Sequence, residues 1–167
     1  NGSRDEAVHF LQIWLLPDRP GHRPSYEQRP FPEAERKGKL RLVASPGAEG
    51  GSLAIHQEAR VFATVLGGGE GVRHPLAPGR HAWVQVLSGA RAAGGQTPTT
   101  GDGAAMSDGP AVTLAAASEA EGKPGAAAKD DDVQIRQRLD FDVDAESAEA
   151  VATLLDLLQS QRPRFAL

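Results

Sequence analysis

His81-Ala82-Trp83-Val84-Gln85-Val86-Leu87, set between Pro78-Gly79 and Ser88-Gly89, is the stretch whose reading decides the fold. Its β-branched and aromatic side chains suit a pleated, half-buried surface, and the flanking pairs are turn formers, so it reads as a strand. The same texture continues on both sides. Toward the N-terminus, Arg60 to Leu66 is β-branched and apolar and ends in Gly67-Gly68-Gly69. Leu53-Ala54-Ile55-His56 follows a Gly50-Gly51 turn, and Leu40-Arg41-Leu42-Val43 alternates before stopping at Ser45-Pro46-Gly47. Toward the C-terminus, Gly94-Gly95 and Gly101-Asp102-Gly103 are hairpin-turn candidates, and Ala111-Val112-Thr113-Leu114 closes the series. With Gly 19 and Pro 12 to make the turns, strands spaced this evenly predict an all-β sandwich or small barrel.

The ends read differently. His9-Phe10-Leu11-Gln12-Ile13-Trp14-Leu15-Leu16 is an apolar run with no folding partner before it, and Asn1 is not a start methionine. The expectation is that residues 1–16 are a strand left over from an earlier sheet, poorly packed here, and that the chain is the back part of a larger protein. Prolines at 17, 20, 24, 30 and 32 block helix and central strand, so residues 17–38 read as an extended linker. Glu33-Ala34-Glu35-Arg36-Lys37-Gly38 is the exception, one helical turn closed by Gly38. Past the series, residues 115–132 are Ala-rich and read as a disordered loop, and Val133, Ile135, Leu139, Phe141 and Val143 alternate like a strand. Val151, Leu154, Leu155 and Leu158 fit either a short C-terminal helix, with Asp144 or Ser147 as its cap, or a last strand. Residues 159–167 form a tail.

Charge and composition exclude several functions. The net charge is −4, split between +2 over residues 1–43 (8 basic, 6 acidic) and −6 over residues 118–149 (4 basic, 10 acidic). No basic stripe is interleaved with aromatics, which argues against nucleic acid as a partner. The eight residues of the His9–Leu16 run fall far short of the about 20 that span a membrane, so no membrane partner is expected. Cys 0 removes disulfides, thiolate zinc sites and thiol nucleophiles, which suits a cytoplasmic location.

Here the residues resemble a known family. His9-Phe10-Leu11-Gln12-Ile13-Trp14, Pro24-Ser25-Tyr26-Glu27-Gln28 and Leu40-Arg41-Leu42-Val43-Ala44-Ser45-Pro46 look like the pirin family. Leu76-Ala77-Pro78-Gly79-Arg80-His81-Ala82-Trp83-Val84-Gln85-Val86 and Gly101-Asp102-Gly103-Ala104-Ala105 look like its bacterial quercetinase-like branch. The resemblance implies a bicupin, two β-barrels in tandem, and some members open the flavonol quercetin with dioxygen while others act as transcriptional cofactors. The family's iron or similar metal sits on three His and one Glu in the N-terminal barrel, the last two in a His-Ser-Glu tripeptide just before the position matching Asn1. On this resemblance residues 39–158 form the C-terminal cupin-type β-barrel, with an acidic insertion at 118–146. Residues 1–16 would be the residual strand of a missing N-terminal cupin barrel, the implied partner, and 17–38 the linker. Ala150 to Leu157, with Leu154-Leu155-Asp156-Leu157, would then be the displaced closing strand, preferred because an open barrel exposes an edge. Otherwise the Val133–Val143 strand closes it.

Could this second barrel hold a metal of its own? Metal-binding cupins place a Glu seven residues before a Gly; counting back from Gly89 lands on Ala82, and no His-x-His pair lies around Pro75 to Pro78. The expectation is therefore that the chain has no catalytic, cofactor-binding or metal-binding residues. His56, His74 and His81 suit a metal by chemistry but lie on separate runs without ligand spacing, and ordinary histidines are the preferred reading. Gly67-Gly68-Gly69-Glu70-Gly71 lacks the following Gly-Lys-Ser/Thr of a phosphate loop and reads as a turn. Asp102 is expected to bond backbone amides of its turn. Trp14 and Trp83 could stack on a flavonoid, but aromatics on apolar strands read first as core. Ser45 or Ser52 with His56 lacks a nucleophile-elbow pattern, and Asp130-Asp131-Asp132 reads as a solvated charge block.

Two functional readings follow. The chain is the C-terminal portion of a pirin-like quercetin 2,3-dioxygenase, with a flavonoid substrate in the full-length protein and Trp14 as the nearest brace for the metal site. Alternatively it is a non-catalytic cupin module with a structural or protein-binding role, its acidic 118–146 segment the distinguishing surface.

Overall fold

The computed structural model describes residues 11–89, 91–93, 97–107, 109–116 and 150–158. Nine strands dominate the described residues: β1 (Arg41–Ser45), β2 (Leu53–Ala54), β3 (Ala59–Leu66), β4 (Gly71–Pro75), β5 (Arg80–Val86), β6 (Arg91–Ala93), β7 (Gly103–Met106), β8 (Ala111–Ala116) and β9 (Ala150–Leu158). A six-stranded sheet runs β2-β1-β3-β9-β5-β7 and a three-stranded one β4-β8-β6. Apart from the parallel β1–β2 pair, the pairings are antiparallel. The all-β expectation holds.

The strand that decides the fold sits where its pattern demands. Along β5, Ala82 and Val84 face one cluster while Trp83 faces another, the two-residue period of a strand covered on both sides. The first cluster lies between the sheets: Leu66, Ala82 and Val84 of the large sheet meet Val112, Leu114 and Ala116 of the small one. Burying each large aliphatic here is worth about 1.5–3 kcal/mol, and several are wholly sealed from solvent. The second cluster covers the outer side of the large sheet, where Val43, Ala59, Val61 and Ala63 pack with Ile13.

The short C-terminal helix is not formed. Residues Ala150–Leu158 are a strand, in the middle of the large sheet, in register with β3 from Ala59↔Leu157 to Leu66↔Ala150 and with β5 from Arg80↔Leu158 to Val86↔Ala152. The apolar spacing allowed both forms; two waiting ladders on either side satisfy every backbone group of a strand and none of a helix. β4 was not expected, because its Gly71, Arg73 and Pro75 are exposed and only Val72 and His74 are half-buried, leaving little apolar signal. The same is true of β7, made of glycine and alanine before Met106.

Of His9–Leu16, the described residues 11–16 join no sheet, yet they alternate: Leu11, Ile13 and Leu15 pack inward while Gln12, Trp14 and Leu16 face solvent. Ile13 is 5% exposed, so this part is not poorly packed. From there the chain crosses the outer side of the large sheet as a strap. Arg29 Nη1 donates to Gly51 O at 2.7 Å, Glu27 accepts the Ala54 amide at the sheet edge, and Arg41 lies over the Phe31 ring. The strap ends in the expected helical turn, α1 (Glu33–Arg36), and Gly38, at a positive φ of 66°, turns its amide onto Val65 O. The inserted segment 118–146, the Val133–Val143 alternation, Asp130–Asp132, Gly94-Gly95 and the tail lie outside the described residues.

Candidate functional site

The three imidazoles are placed apart, each committed elsewhere. His56 is exposed in the β2–β3 connection and stacks on His22 of the strap, centroids 4.0 Å apart and planes within 7°. His74, on β4, tilts against the Phe62 ring at 4.7 Å. His81 shares the Trp83 side of β5, is 7% exposed, and bonds Ser107 Oγ through Nδ1 at 2.7 Å. Its Nε2 is buried with no partner among the described residues. This His81–Ser107 pair was missed in the sequence, although it extends the β5–β7 register one residue past Ala82↔Met106.

The position where metal-binding cupins put a carboxylate is Ala82, whose methyl packs in the cluster between the sheets. Among the described residues no group of three or more His, Asp or Glu side chains is placed to hold a metal. Among the described residues, the place that cupin spacing gives to a carboxylate is taken by a methyl group packed against apolar neighbours.

The remaining candidates resolve into structure. Gly67 donates its amide to Glu70 Oε2 at 2.9 Å, so the glycine turn cradles its own carboxylate and closes as a turn. Asp102 Oδ2 accepts the Thr99 amide at 2.8 Å and the Thr99 hydroxyl at 3.0 Å, bracing the bend before β7. Ser45 and Ser52 are fully buried and bond each other at 2.8 Å, and Ser45 Oγ also takes the Glu49 amide, so both hydroxyls are committed to partners other than His56. Trp83 lies across Gly103, where a Cβ would come within 2.0 Å of the indole ring, and packs at the margin of the outer cluster. Trp14 departs from the core reading: it is 37% exposed on the solvent side of the strap. The alternation that buries Ile13 forces Trp14 out.

Comparison with known proteins places this arrangement. The quercetinase C-terminal cupin domain matches residues 42–122. Over those residues the chain is similar to the C-terminal cupin domain of the pirin family. The quercetin 2,3-dioxygenase of Escherichia coli is 37% identical over 121 residues, covering 72% of this chain and 51% of that protein. A putative quercetin 2,3-dioxygenase of Pseudomonas aeruginosa is 35% identical over 118 residues, covering 70% and 50%. The crystal structure of YhhW from Escherichia coli superposes with a TM-score of 0.63 at 27% identity, covering 85% of this chain and 47% of that one. A bacterial pirin YhhW structure in complex with nickel(II) gives 0.62 at the same identity. The chain thus spans about half the length of the curated relatives it matches. Among its described residues, no helix is long and apolar enough to cross a membrane.

Proposed function

We propose that residues 39–158 serve as the C-terminal cupin barrel of a pirin-like quercetin 2,3-dioxygenase, supporting the reaction without holding its metal. The observation that carries this is the filled interior: Ala82, Val84, Val112 and Leu114 occupy the space between the sheets where a cupin's ligand donors would stand. Similarity confined to about half of each relative supports assigning metal and flavonol to the other half. That metal would supply the Lewis acid and redox chemistry of ring opening. The strap over residues 17–38 then links the barrel to that half, and the strand-rich body gives it a stiff wall to pack on.

The same filled interior favours a second reading, a cupin module with a structural or protein-binding role and no part in oxygen chemistry. Metal analysis and a quercetin assay on the isolated chain test what both share. The expected result is far less than one metal per chain and no quercetin loss above a metal-salt blank. Iron or nickel near one equivalent per chain would overturn it. The intact mass of the protein in its source cells separates the two readings. A species near twice 17.6 kDa favours the dioxygenase, and one at 17.6 kDa favours the module.

A further inference from the structure

The last described strand is attached unlike the others. β9 pairs with β3 on one side over eight register positions, Ala59↔Leu157 to Leu66↔Ala150, and with β5 on the other over seven, Arg80↔Leu158 to Val86↔Ala152. Among the described residues β3 and β5 do not pair with each other, so together they frame a slot one strand wide. The strand that fills it comes from the other sheet, where β8 lies between β4 and β6.

Connection length sets β9 apart as well. Residues 67–70 join β3 to β4 and residues 76–79 join β4 to β5, which holds those strands close to the ones they follow. Residues 117–149 join β8 to β9. Those 33 residues, fully extended, reach about 110 Å, many times the about 10 Å between packed sheets.

We propose that the β3–β5 slot accepts Ala150–Leu158 from a second copy of this chain as well as from its own, so that two molecules exchange β9. Recognition rests on backbone groups in a fixed register, and a second copy supplies the identical segment. Each ladder bond that β9 makes within one chain is therefore remade in the exchanged pair. A molecule that gives its strand away has an empty slot for its partner's, and reciprocal exchange closes a twofold dimer. What differs between the two forms is the connection. Closing a loop this long costs entropy, and it presents the strand to its own slot at an effective concentration of at most about millimolar. A neighbour's strand competes once the protein itself reaches that range.

Disulfide trapping on the full 167-residue chain tests the exchange, because Cys 0 leaves introduced thiols as the only ones. Arg60 and Asp156 are register partners, and opposite Cβ atoms in an antiparallel pair lie about 4.5–5.5 Å apart, close to the span a disulfide bridges. The Arg60→Cys and Asp156→Cys chains are mixed in urea, refolded by dilution and oxidised. They should join as a heterodisulfide, told by mass from the two homodisulfides and exceeding either at least about fivefold at about 1 mM protein. Its yield should fall about tenfold at about 10 μM. The double variant Arg60→Cys/Asp156→Cys should close its disulfide within one chain at about 10 μM, which reports that fold and register survive. If it does not close, Gln85→Cys with Thr153→Cys repeats every arm on the β5 side. A double variant that closes, while its single variants give no excess of heterodisulfide at about 1 mM, overturns the proposal. Failure of both double variants to close overturns it too, because the slot would then not hold β9 in this register.

Discussion

Val61 and Ile13 belong to one apolar cluster, but they are held there by different means. Val61 sits on β3 between two ladders, opposite Ala44 of β1 and Leu155 of β9, so its place is set by backbone pairing before any side chain packs. Ile13 belongs to no strand; it is 5% exposed because alternate side chains of an extended segment drop onto a surface already built. Beyond it, the fastenings are single bonds such as Gln57 to Leu16, Asp18 to His56 and Arg29 to Gly51. Cooperative pairing and piecemeal docking give the same burial and very different resistance to disturbance.

Substitutions on the two sides sharpen that difference. Leu66→Ala, at a wholly buried position between the sheets, should cost about 3–5 kcal/mol in urea unfolding, because paired strands cannot collapse into the void. Ile13→Ala removes as large a side chain, but a strap outside the ladders can settle into the space, so about 2 kcal/mol is expected. Equal losses at the two sites would mean the strap is as rigid as the sheets. Asp18→Asn should have the smallest effect, seen only against pH. The hydrogen bond from His22 holds the Asp18 carboxyl below its ordinary range, so its contribution is present above the unfolded value of 3.8 and is lost as pH falls through the folded one. The natural chain should therefore lose thermal stability slightly more steeply than Asp18→Asn below about pH 4. Parallel curves would show that the pair adds nothing.

The sequence announced the parts of this molecule that combine apolar runs with turn residues. β1, β3, β5 and β8 were legible for that reason, as was the turn braced by Asp102. β4 and β7 were not, because alanine, glycine and an exposed arginine pack by fitting neighbours rather than by displaying hydrophobic period. The form of Ala150–Leu158 was ambiguous locally, since only its tertiary neighbours distinguish strand from helix. At the site, Ala82 could be read by counting from Gly89, and the structure adds what surrounds its methyl group. Histidine stacking was invisible, because His22 and His56 meet through a proline-rich segment whose path no residue pattern specifies.

The central place of β9 sets an order on the birth of the molecule. A ribosome delivers β3 and β5 long before Ala150–Leu158, yet these two are neighbours only through that last segment. Until it emerges, each presents an unpaired apolar edge toward the other, the kind of surface that recruits foreign strands. Nascent chains stalled before Ala150 should thus be the form most in need of a chaperone, and the late arrival of one strand makes its emergence the step that commits the sheet.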